Sequence, residues 1–400
     1  MSSKNNDPKA PGYISLIAAG EPFRLLFPIG TAIGILGVMM WPLYAWKITA
    51  TYPGVAHSRI MMEGFLTCFV VGFLGTALPR LLGVPRIMLG ETLGFAIALV
   101  SIAWLQFSGR TLWGDELFFF TLAWLVIVLV ARTFLRKDTP PPAFLLVGMG
   151  ILSALAGAAI QALAQIAPTS LSDTAGQFGR LLLNQGYILL PVMGIGAFIM
   201  PRFFDLPNRQ SFPESPGLPP GWKSSAAFAF LCGAGVVASF YIEAVGGPRW
   251  GCALRASAVM LYFFREVPVY QAGFSGGTLA LGLRVSLFAI PAGFILMAFS
   301  PSRIITFVHI VYITGFSLLT FIIASRVVLG HSGQSEKFKA SLKPVLLMMA
   351  LVTLAMLSRV TAGLMPAMAI SHYAYAAVAW IAGVLVWAFT ILPGIRTADT

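Results

Sequence analysis

The chain has 400 residues, of which 58% are hydrophobic and only 10% charged. A soluble domain carries about 25% charge, so this composition cannot clothe a water-facing surface and calls for a bilayer instead. The net charge of +12 then reads as topology-setting Lys and Arg in short loops facing anionic lipid, and not as a nucleic-acid footprint.

The first 22 residues are polar and include Lys4 and Lys9. The apolar run that follows is too long for a signal peptide and lacks a small-residue cleavage site, so it is expected to remain as an anchor. About twelve apolar runs can each cross a ~30 Å hydrocarbon core as a helix. They fall near 25–46, 60–78, 88–107, 117–134, 143–164, 181–200, 225–243, 252–264, 279–299, 304–327, 342–361 and 373–392. The predicted fold is an all-α polytopic bundle: a cytoplasmic tail at 1–24, one transmembrane domain over 25–393, and a second cytoplasmic tail at 394–400. The eighth run is short and contains Arg255. The longest loop, about 201 to 223, holds Pro207, Pro213, Pro216, Pro219 and Pro220, and is expected to be extended and without its own core. Cys68, Cys232 and Cys252 are far apart and form no C-x-x-C, so neither a disulfide framework nor a zinc site is suggested.

Charge sets the expected orientation. With the N-terminus inside, Arg24, Arg80, Arg86, Arg132, Arg136, Lys137, Arg202, Arg209, Lys223, Arg265, Arg326, Lys337, Lys339, Lys343 and Arg396 join Lys4 and Lys9 on the cytoplasmic side. The other side keeps only Lys47, Arg59, Arg110, Arg180, Arg249 and Arg303. This excess predicts cytoplasmic termini. A weak internal repeat accompanies it. The second span ends G-F-L-G-T-A-L-P-R (Gly72 to Arg80), the sixth ends G-I-G-A-F-I-M-P-R (Gly194 to Arg202), and the tenth ends Ser325-Arg326. Spans two, six and ten are four helices apart, which hints at three units of four.

The sharpest chemical clue is a pair of histidines. His57 precedes Gly64-Phe65 on span two, and His309 precedes Gly315-Phe316 at nearly the same distance on span ten. Both spans run the same way, so the imidazoles share a depth in the outer half of the membrane. Two neutral imidazoles at matched depth suit the axial positions of a haem iron. Met61 stands one turn from His57, and thioether plus imidazole also suits Cu(I). His372, at the outer mouth of span twelve, is a further metal-ligand candidate on that side. His331, 22 residues beyond His309, cannot share their site. The bland reading is that interfacial histidines are hydrogen-bonded caps and paired methionines are packing filler. Glu63, Glu91, Glu243, Arg255, Arg284 and Arg359 lie within apolar runs, where each costs about 2.5–3.5 kcal/mol, and are expected to be paired inside the bundle. Arg59 and Arg284 are candidates to neutralise haem propionates.

These residues resemble those of a known family. E-P-F-R-L-L-F-P-I-G (Glu21 to Gly30), H-S-R-I-M-M-E-G-F-L-T-C-F-V-V-G-F-L-G-T-A-L-P-R (His57 to Arg80) and S-R-V-V-L-G-H-S-G (Ser325 to Gly333) are similar to signatures of the NnrS family. That resemblance implies a bacterial inner-membrane protein with haem and copper, acting in the response to nitric oxide and associated with denitrification, with nitric oxide and a redox partner as its contacts beyond lipid. It places His57, His309 and His331 on family histidines. It also places Arg59 and Arg284 where the family often has histidine, and Ser332 where it has threonine. The loss of two imidazoles counts against copper. The architecture is also similar to the main subunit of haem–copper oxidases, but spans six and seven carry no histidine, which argues against a binuclear centre. A six-plus-six secondary transporter of a small solute and a metal-free membrane scaffold are the competing readings.

Overall fold

The computed structural model describes residues 12–136, 138–212, 217–273 and 276–398. Lys4, Lys9, Lys137, Pro213 and Pro216 lie outside the described residues. Among the described residues, eleven helices are long and apolar enough to cross a membrane. They are α1 Phe23–Ala45, α2 Gly54–Leu82, α3 Leu89–Phe107, α4 Thr111–Thr133, α5 Phe144–Ile166, α6 Asp173–Phe203, α7 Trp222–Ala244, α9 Gly277–Phe299, α10 Pro301–Gly330, α11 Lys343–Leu364 and α12 Pro366–Arg396. The eighth predicted span is the helix α8, Pro248–Glu266. It falls short in hydropathy because Arg249, Arg255, Arg265 and Glu266 all lie within it. It nonetheless packs between α7 and α9.

A helix satisfies all its own backbone groups, so lipid can face it directly. The outer faces accordingly expose Phe120, Ile127, Leu231, Phe264, Phe288 and Phe389. Trp46, Trp104, Trp113 and Trp250 are exposed near the helix ends of a single face of the bundle, as amphipathic rings are at a membrane–water boundary.

Packing follows a period of four helices. The hairpins α3–α4, α7–α8 and α11–α12 pair internally, and α4 on α5, α8 on α9 and α12 on α1 close the ring. This is three units of four, not two halves of six. The second helix of each unit is the innermost: α2, α6 and α10 are 67%, 78% and 61% buried over their spanning windows. Each also contains a π-helical stretch, at Ile60–Leu66, Leu182–Gly186 and Ile310–Ser317. Gly64, Gly186 and Gly315 stand in these stretches, each followed by an aromatic residue. A methyl group added to them would press on Ile33, Ser153 and Ile290, which belong to α1, α5 and α9. The glycines therefore let each first helix close on its second, as lipid-embedded crossings require. Sixteen residues past these glycines come Arg80, Arg202 and His331. The register of the third unit is thus set by His331, where the sequence pattern alone pointed to Arg326.

The two tails are built into the bundle where they are described. Tyr13 donates its hydroxyl to the carbonyl of Arg24. Arg24, 1% exposed, donates to the carbonyls of Ile395, Thr397 and His331 and pairs with Glu21.

Candidate functional site

A cavity of about 740 Å³ opens at the face opposite the termini, between the N-terminal halves of α2, α6 and α10. Small-molecule and cofactor sites span roughly 300–1,000 Å³, so the volume suits a large organic ligand. Its walls are aromatic: Trp41 from α1, Phe65 from α2, Tyr312 from α10, and Tyr373 and Trp380 from α12. The π-helical stretches widen α2, α6 and α10 at this level. Such stretches recur at functional sites, because one extra residue per turn re-aims the neighbouring side chains.

His57 and His309 both line this cavity. The Nδ1 of His57 lies 3.0 Å from the carbonyl of Gly37 on α1. The Nδ1 of His309 lies 2.6 Å from the carbonyl of Ile305, one turn earlier on its own helix. A carbonyl only accepts, so each Nδ1 carries the proton and each Nε2 keeps a lone pair. Metal-binding histidines are held in this way, with the far ring nitrogen donating to a backbone carbonyl. Met61 and Met62 are also on the wall. Among the described residues, no three His, Cys, Asp or Glu side chains gather as a metal site; the soft donors on this wall are the two imidazoles and the thioethers of Met61 and Met62. Tyr52 lines the mouth. Burial raises its phenol above the ordinary value, so it remains a neutral hydroxyl there.

The other sequence candidates sit elsewhere. Arg59 turns to Glu63 at 3.1 Å and Asp115 at 2.8 Å. Gln106 bridges the same two carboxylates with its amide nitrogen, at 2.9 and 2.8 Å. Arg284 lies at the opposite end, where it donates to the carbonyls of Ala272 and Gly273 beneath the ring of Phe204. His372 is 3.0 Å from the hydroxyl of Ser358, and its neighbour Tyr373 forms the cavity wall. His331 meets Arg80 near the termini.

Two residues that sequence reasoning named only for their charge do line the cavity: Arg180 from α6 and Arg359 from α11. A signal for Arg180 was present. It precedes Gly186 by six residues, just as His309 precedes Gly315. The three inner helices therefore present His57, Arg180 and His309 around one chamber. The buried Arg255–Glu243 pair, 2.6 Å apart, reaches the same wall through Gln185, which accepts from Arg255 at 2.6 Å.

Fold and site together define a polytopic helical membrane protein with a two-histidine chamber between three inner helices. The NnrS protein family matches residues 18–397, nearly the whole chain, and the chain belongs to that family. No curated protein matches it.

Proposed function

We propose that this chain binds a b-type haem in the chamber, where His57 and His309 would hold its iron, and acts in the bacterial response to nitric oxide. The observation that carries the reading is the imidazole pair: two histidines on one cavity wall, each with Nδ1 held by a carbonyl and Nε2 left as a donor to metal. Haem bound there supplies an iron centre able to bind a diatomic ligand or pass an electron. The protein's part is to fix both ring planes through Gly37 and Ile305 and to exclude bulk water with Trp41, Phe65 and Trp380. Copper is left out of this proposal. Arg59 and Arg284 stand where the family often has histidine, and both are committed to other partners.

The test is the visible spectrum of the purified protein, as isolated and after haem loading. A Soret band that is lost or shifted in both His57→Ala and His309→Ala, and kept in His331→Ala, is the expected result. Folded protein that takes up no haem overturns the reading and leaves a transporter or a metal-free scaffold.

A further inference from the structure

The chamber contains two arginines and, among the described residues, no carboxylate. Arg359 is half-buried, and its guanidinium carbon lies 4.6 Å from the centre of the Tyr373 ring. Neither Arg359 nor Arg180 belongs to any ion pair among the described residues. The bundle's other arginines within apolar helices have partners outside the chamber: Arg284 donates to two carbonyls and Arg326 lies over the rings of Phe203 and Phe338. Arg24, Arg59, Arg132 and Arg255 each hold a carboxylate. A half-buried cation without a counter-charge is costly in a low-dielectric setting. The cost is removed when the ligand brings the negative charge. A guanidinium also presents a planar fork that fits a carboxylate with two hydrogen bonds.

We infer that Arg180 and Arg359 form a carboxylate-binding subsite at the mouth of the chamber, and that its ligand is a planar apolar body bearing acidic side groups. The inference rests on the haem reading, because the histidines and aromatic walls of the same chamber hold the planar body. Arg180 lies on an inner helix, as far before Gly186 as His309 is before Gly315, and Arg359 reaches in from α11. The acidic edge of the ligand therefore points to the α6 and α11 side, leaving the His57–His309 axis free for the metal. Arg59 takes no part, since Glu63 and Asp115 already occupy it.

The experiment uses full-length protein in detergent, stripped of cofactor. Three probes are titrated against tryptophan fluorescence, which Trp41 and Trp380 report from the wall: haemin, metal-free protoporphyrin, and the dimethyl ester of that porphyrin. Metal-free protoporphyrin keeps both carboxylates and offers the imidazoles no iron. The dicarboxylate is expected to bind at least about tenfold more tightly than its ester, as charge-assisted hydrogen bonds imply. Arg359→Gln and Arg180→Gln should each erase much of that difference without changing ester binding. Arg180 is exposed, so its variant should fold even if Arg359→Gln does not. Equal affinity for acid and ester overturns the subsite. So does unchanged dicarboxylate affinity in a folded Arg180→Gln variant, or in a folded Arg359→Gln variant. If haemin still binds normally in those cases, the histidine reading survives alone. If wild type binds none of the three probes, both fall.

Discussion

Arg80 on α2 lies 2.5 Å from the Nε2 of His331, just past the end of α10. An arginine can only donate, so the Nε2 of His331 is the acceptor in this contact. Arg80 also holds Glu21, which in turn holds the buried Arg24. Residues from three separate sequence signatures thus form one clasp joining α1, α2, α10 and the C-terminal turn, at the opposite end from the chamber. The clasp is structural, and its members should separate by burial. Arg24→Ala strips the partner from three carbonyls and one carboxylate and should cost about 3–5 kcal/mol. His331→Ala removes the partly exposed Arg80 contact and the packing of its ring on Phe23 and should cost about 1 kcal/mol. Unfolding in detergent measures both, and a larger loss in His331→Ala would break the assignment.

Arg59 is held by two buried carboxylates, Glu63 and Asp115, on two different helices. Its removal leaves both acids without a cation in the bundle. Arg59→Gln should therefore lower stability by about 3–5 kcal/mol while leaving porphyrin affinity unchanged in the fraction that folds. A folded Arg59→Gln protein of wild-type stability and weakened porphyrin binding would move Arg59 into the ligand site.

Much of this arrangement could be read from the sequence because lipid imposes it. Apolar runs of spanning length leave helix as the single solution, and the four-helix period already showed in Gly72 to Arg80 and Gly194 to Arg202. The common chamber of His57 and His309 followed from shared direction and depth. The partners of Arg59 did not, because Asp115 and Gln106 come from α4 and α3, and a helical pattern gives no azimuth for distant helices. The π-helical stretches were also hidden, as one extra residue per turn leaves no mark in an apolar run. Arg359 was read as a paired charge, yet what it faces is a tyrosine ring and an open chamber.

Gly72 marks the crossing of α2 over α1. A methyl group there would sit 3.2 Å from the Cα of Phe23 and 3.1 Å from the ring of Phe27. Backbone cannot step aside as a flexible side chain can, so bulk at this point must separate the helices. Gly72→Leu should destabilise by about 1–3 kcal/mol, with Gly72→Ala clearly milder. Thermal unfolding in detergent ranks the two. If Gly72→Leu is silent, the close α1–α2 contact is not what holds this unit together.

The chamber's side of the membrane is set by charge. Lys and Arg concentrate at the end that carries the termini and the Arg24 clasp, while the chamber end carries the exposed Trp46, Trp104, Trp113 and Trp250. Short basic loops stay cytoplasmic, so both termini should be inside and the chamber should open outward. Ser170 lies in the exposed turn between α5 and α6, at the chamber end. A single cysteine placed there by Ser170→Cys should react with a membrane-impermeant maleimide in intact cells. Cys68, Cys232 and Cys252 are buried and should stay silent. One introduced at Lys337, beyond α10 at the opposite end, should react only after permeabilisation. The reverse pattern would put the chamber on the cytoplasmic side, and any partner delivering electrons or nitric oxide to His57 and His309 would then have to be sought there.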